Sequence, residues 1–185
     1  MSESDAIRAA MQQQALRLRE EFENLEEIRS WVNPAYNQAM QRAEIQFNSP
    51  LGVGRFWWGN NQWTIRLPDE TDIHAFRGKL RSVLQQVWQD LRERKISQDM
   101  QEQALRLRDE YGDLEAVLGW SRPVYNHEAQ QPEVRFDSPG GICRFWWEPN
   151  RWAIRLPDGG MSYAEPGNLR ESLRLVRQLL RKGGL

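Results

Sequence analysis

The stretch GVGRFWWGNNQWTIRLPD, Gly52–Asp69, decides how the chain folds. Side chains alternate between the two faces of an extended strand. Trp63, Ile65 and Leu67 therefore share one face, and Gln62, Thr64 and Arg66 share the other. In the preceding segment Phe56 and Trp58 form the natural core pair, and Arg55 and Trp57 face away. Gly59-Asn60-Asn61 supplies the turn between the two segments. Upstream, Glu44–Asn48 alternates in the same way, with Ile45 and Phe47 inward, and Ser49-Pro50-Leu51-Gly52 turns the chain. Short turns between neighbouring strands specify an antiparallel meander.

The same text returns further along. GICRFWWEPNRWAIRLPD occupies Gly141–Asp158, and Arg144 lies 89 residues after Arg55 (144 − 55). Between Gln14 and Asp69, 30 of 56 positions recur at that offset without a gap. Such a period is too long for a solenoid unit and reads as two similar small domains. We expect a first repeat over 1–96 and a second over 97–185.

Helices flank each meander. Ala15, Leu18, Phe22, Leu25 and Ile28 recur at helical spacing, matched by Ala104, Leu107, Tyr111, Leu114 and Val117. Pro34 and Pro123 are expected to end this first helix. Leu80, Val83, Leu84, Val87, Trp88 and Leu91 line one face of a closing helix. In the second copy Asn168 with Glu171 resembles a capping box at its start. No glycine or proline lies between Lys79 and Tyr111, so a nearly continuous helix is expected to join the repeats, with Ser97 marking a break. The expected fold is α+β: a tandem duplication of an α-β-β-β-α unit, each with a three-stranded antiparallel meander covered by helices.

Composition narrows the function classes. The chain has 185 residues, 39% hydrophobic and 28% charged, the range of a globular protein. Its nine tryptophans argue against disorder. No apolar run is long enough to span a bilayer, and the polar start MSESDAIRAAMQQQ shows no signal peptide. Cys143 is the single cysteine, which excludes an internal disulfide and suits a cytoplasmic location. Net charge is −1, unlike a basic nucleic-acid-binding domain. Twenty-two of the 25 basic residues are arginine, the side chain that stacks on aromatics and forks onto carboxylates.

Signals for chemistry are sparse. His74 and His127 are not equivalents, and with Cys143 they give no zinc-ligand spacing. Cys143 replaces Gly54 of the first copy, which suits a small buried residue more than a nucleophile. Gly52-Val53-Gly54 leads into a strand, so it is no phosphate cradle. Asp69 and Asp158 lack a second carboxylate for acid–base work and suit a turn or a helix start. The reading is a non-enzyme with no catalytic, cofactor or metal residues.

The outward tryptophan is the functional lead. The outer sheet face is expected to show Gln46, Arg55, Trp57, Thr64 and Arg66 in one copy, and Arg135, Arg144, Trp146, Ala153 and Arg155 in the other. Something should cover those rings. The first expectation is intramolecular: the two outer faces pack together, or an early helix folds over them, with arginines lying flat on the rings. A second copy of the chain or another protein comes next, because interfaces favour tryptophan and arginine. We take Arg55, Trp57, Arg66, Arg144, Trp146 and Arg155 as protein-binding candidates. The expected function is a non-catalytic adaptor, chaperone-like or regulatory protein with a pseudo-twofold tandem architecture and no membrane partner. The alternative is RNA binding through arginine and tryptophan on the outer faces; an enzyme of unidentified type ranks third.

Overall fold

The computed structural model describes residues 3–29 and 32–182. The fold is α+β, with two antiparallel five-stranded sheets, and the chain divides into two compact units, Met1–Lys95 and Ile96–Leu185.

The first unit opens with helices α1 (Glu3–Glu21) and α2 (Glu26–Arg29). Five strands follow: β1 (Val32–Asn37), β2 (Arg42–Ser49), β3 (Gly52–Gly59), β4 (Gln62–Arg66) and β5 (Asp72–Ala75). They pair in chain order as an antiparallel meander. Helix α3 (Leu80–Tyr111) closes this unit and runs on as the opening helix of the second. The second unit continues with α4 (Glu115–Leu118) and a meander of β6 (Arg122–Asn126), β7 (Gln131–Ser138), β8 (Gly141–Glu148), β9 (Arg151–Arg155) and β10 (Met161–Ala164). Helix α5 (Leu169–Lys182) closes it.

Each meander thus has five strands, not the expected three. The segment Asn33–Asn37 reads as a loop because of Pro34, yet it forms most of β1. That strand lies at the sheet edge, where a missing N–H is tolerated. The acidic run after Pro68, which suits a turn or a helix start, forms the β4–β5 turn. Asp69 Oδ1 accepts the Thr71 N–H at 3.0 Å, and Glu70 takes a φ of 65°. Asp158 plays the same part for the Gly160 N–H at 2.8 Å.

The opening helices also end sooner than the prolines suggest. α1 stops at Glu21, and Asn24 Oδ1 starts α2 by accepting the Glu26 N–H at 3.0 Å. α3 stops at Tyr111 because Gly112 enters the left-handed region (φ 71°), and Asp113 Oδ1 accepts the Glu115 N–H. There is no break at Ser97, which lies inside α3.

Nor is α5 started by a capping box, since Glu171 bonds Arg174 instead. The cap comes from the end of the opening helix. Glu110 accepts the backbone N–H groups of Gly167 (2.7 Å) and Leu169 (3.2 Å) and the buried indole N–H of Trp152 (2.9 Å). Glu21 does the same for Gly78, Leu80 and Trp63 at 2.7, 3.1 and 3.0 Å. One carboxylate thereby ties opening helix, sheet and closing helix together, and satisfies helix-start donors that would otherwise lack partners.

The cores lie between sheet and helices. Phe47, Phe56, Trp63 and Ile65 meet Leu80, Leu84 and Leu91 in the first unit. Val134, Phe145, Trp152 and Ile154 meet Leu107, Leu169 and Leu173 in the second. Burying a tryptophan of about 200 Å² contributes on the order of 5 kcal/mol before entropy is counted. The position of Gly54 and Cys143 is fully buried in the second copy. A Cβ at Gly54 would fall 2.2 Å from the Phe47 ring, so the two cores pack this point differently.

Candidate binding surface on the outer sheet face

Strand alternation places Arg55 and Trp57 on the face away from the helices, beside Glu44, Thr64 and Arg66 on the neighbouring strands. At the centre of this face sits a buried carboxylate, which strand alternation marks only as outward-facing. Glu44 is 2% exposed. Asn37 Nδ2 donates to it at 3.2 Å, and the Arg42 and Arg55 guanidiniums lie 3.7 Å away. Glu133 is its counterpart at 1% exposure, bonded by Asn126 at 3.0 Å and Arg135 at 2.5 Å, with Arg144 at 3.8 Å. A buried charge needs such partners. The signal in the sequence is a lone acid with one arginine two residues away on its own strand face, Arg42 or Arg135, and another on the neighbouring strand, Arg55 or Arg144.

The arginine that serves the carboxylate changes position between the units. Arg42 precedes Glu44 by two residues, while Arg135 follows Glu133 by two; glutamines stand at the converse positions, Gln46 and Gln131. Two residues along a strand return to the same face, so both arrangements reach the same acid.

This shift decides the fate of the tryptophans. In the first unit the Arg42 guanidinium lies 3.4 Å from the Trp57 ring centre, and that of Arg66 lies 5.4 Å away. Trp57 is only 9% exposed. The indole is covered by arginines of its own sheet, so Trp57 offers little contact surface. Burial and the nearby Arg66 charge lower the Arg42 pKa, partly offset by Glu44. Arg66 is itself paired, with Nε and Nη2 each donating to Asp72 at 2.8 Å. Those bonds hold the Asp72 carboxyl below its usual range.

The second unit is more open. Trp146 is half-buried, and Gln131 stands where Arg42 would cover it. Arg155 faces Met161 across the strands instead of an aspartate, and it is exposed. Among the described residues no carboxylate pairs with Arg155. Arg144 keeps 38% of its side chain exposed, as Arg55 keeps 39%. Arg151 stacks 3.9 Å from the Tyr163 ring centre, and Ile142 and Met161 are exposed on or beside this sheet.

The structure therefore places Arg55, Trp57 and Arg66 on one sheet face, and Arg144, Trp146 and Arg155 on the other sheet's corresponding face. Only the second set combines a partly open indole with an unpaired guanidinium. Cys143 and the histidines assemble no reactive cluster. The cysteine is fully buried, burial pushes its thiol pKa up, and its Sγ lies 3.7 Å from Ser138 Oγ. No group of three or more His, Cys, Asp or Glu side chains is arranged to hold a metal among the described residues. No described helix is long and apolar enough to cross a membrane. Compared with protein-family models, with curated proteins and with solved structures, the chain finds no match in any of the three.

Proposed function

We propose that the protein is a non-catalytic, protein-binding adaptor, chaperone-like or regulatory protein of the cytoplasm, built by tandem duplication of one α+β unit. The observation that carries this reading is the arginine array of the second unit. Glu133 is buried beneath Arg135 and Arg144, next to half-buried Trp146 and exposed Arg155. Guanidiniums held by a buried acid lose little freedom on binding. Arginine and tryptophan are the side chains in which interface energy concentrates. The first unit retains the scaffold but has its indole covered and Arg66 paired, so the two units have unequal roles.

The test compares affinity capture by the wild type, Trp57→Ala and Trp146→Ala chains, each first shown to be folded by circular dichroism. A protein retained by wild type and Trp57→Ala but lost from Trp146→Ala supports the reading. A hot-spot tryptophan is worth about 2 kcal/mol or more, roughly 30-fold in affinity. Equal retention by all three removes the outer face as the site. Recovery of RNA in place of protein would transfer the same face to nucleic-acid binding.

A further inference from the structure

A second basic surface lies away from the outer sheet face, on the helix that closes the second unit. Arg170, Arg174, Arg177 and Arg181 follow one another at intervals of four, three and four residues (174 − 170, 177 − 174, 181 − 177). That spacing puts all four on one side of α5. They line a groove of about 560 Å³ whose other surfaces include Tyr111, Ala116, Trp120 and Leu173. The Arg177 guanidinium lies 4.5 Å from the Trp120 ring centre. Trp120 is anchored edge-on against core Phe136 at 5.4 Å, which fixes this wall.

The charge on the groove is largely uncompensated. Arg174 pairs with Glu171 at 2.6 Å. Glu110 is committed to capping α5. Among the described residues no carboxylate pairs with Arg170, Arg177 or Arg181. The helix as a whole carries five basic residues and one acidic. The corresponding positions of the first unit, 89 residues earlier, are Arg81, Gln85, Trp88 and Arg92, so two of the four arginines belong to the second unit alone.

We propose that this groove binds an acidic peptide segment of a partner protein, with an apolar side chain of that segment seated beside Trp120. Charge complementarity selects an anion, and guanidinium forks match carboxylates. The spacing also fits. Arg170–Arg174 and Arg177–Arg181 each span four residues, a helical rise of about 6 Å. Alternate residues of an extended peptide repeat every ~6.6 Å, so acids at alternate positions meet successive arginines. The wall of Tyr111, Ala116 and Trp120 favours a peptide with intervening aliphatic or aromatic residues over a polyphosphate backbone. The proposal rests on the protein-binding reading but uses a different surface, so a failure of one is distinguishable from a failure of the other.

The experiment measures anisotropy of a fluorescein-labelled peptide of alternating aspartate and leucine on the full chain, beside a lysine–leucine peptide and a uridine oligonucleotide. Variants are Arg170→Gln/Arg181→Gln, at two exposed positions, and Trp146→Ala. The expected result is binding of the acidic peptide alone. That binding should weaken as salt rises, fall about 10-fold in the double arginine variant, and stay unchanged in Trp146→Ala. Absence of acidic-peptide binding, equal binding by the folded double variant, or a preference for the oligonucleotide that the same variant abolishes would each overturn the proposal. A loss in Trp146→Ala with none in the double variant would return the peptide to the outer sheet face.

Discussion

Glu110 and Glu21 each satisfy two backbone donors and one buried indole N–H, so each carboxylate is a point at which one substitution touches three partners. Replacing Glu110 by alanine leaves the N–H of fully buried Trp152 without a partner and uncaps α5. We expect a loss of about 2–4 kcal/mol, from an orphaned buried donor and a lost cap together. Urea unfolding would measure it, and a loss below 1 kcal/mol would mean that water replaces the carboxylate. Asp72 gives a smaller, pH-dependent effect. Its folded pKa is depressed by Arg66, so its contribution is complete above the unfolded value near 3.9. The contribution fades as pH falls through the lower, folded value. The pair is partly exposed, so solvent screens it and its contribution is small. Asp72→Asn should therefore flatten the acid limb of the stability–pH curve slightly, as pH falls below the unfolded carboxylate value. Cys143 is a ready probe of unfolding: buried and with its thiol pKa raised, it should resist a thiol reagent in the native protein and react at the rate of unfolding. Fast native labelling would contradict the packing around it.

Elements show which parts of the fold are written locally. The three central strands of each meander were legible because their apolar residues alternate and their turns carry glycine, asparagine and proline. The edge strands were not. β1 contains Pro34, and β5 has four residues behind an acidic turn, so both are set by pairing with a neighbour and not by their own pattern. The two-residue β3–β4 and β8–β9 turns differ in the same way. Asn60 and Asn61 both take positive φ, at 52° and 59°, whereas Pro149 cannot and only Asn150 does, at 69°. Helix ends were misplaced because periodicity continues through α2 and α4, while Gly112 and the side chains of Asn24 and Asp113 stop the backbone earlier. Hydrogen exchange should be slowest in the central strands β3 and β8 and fastest in β5 and β10, the short edges. Equal protection across each sheet would show that the edges are held by more than one neighbour.

At the scale of the whole molecule, the internal repeat supplies its own comparison of solutions. The outer sheet faces were legible by alternation, but the buried acids beneath them were not, because burial of Glu44 and Glu133 depends on arginines from two strands. Their interchange of Arg42/Gln46 for Gln131/Arg135 makes a prediction. Arg135→Gln should cost about 1–3 kcal/mol, since Arg144 still serves Glu133. Adding Gln131→Arg should restore most of the loss, because that position reaches the same acid in the other unit. A double variant no more stable than the single would show that the two arrangements are not interchangeable.

The unbroken course of α3 through Ser97 bears on how the chain acquires its structure during synthesis. Starting a helix is the costly event, and extending one adds a hydrogen bond for each residue fixed. Residues 96–111 continue a helix whose first turn is already held by Glu21. Propagation from that first turn is therefore the cheaper route to the second unit's opening helix, because it needs no second nucleus. A chain emerging from its amino end would have the acid that starts α5 placed before α5 is made.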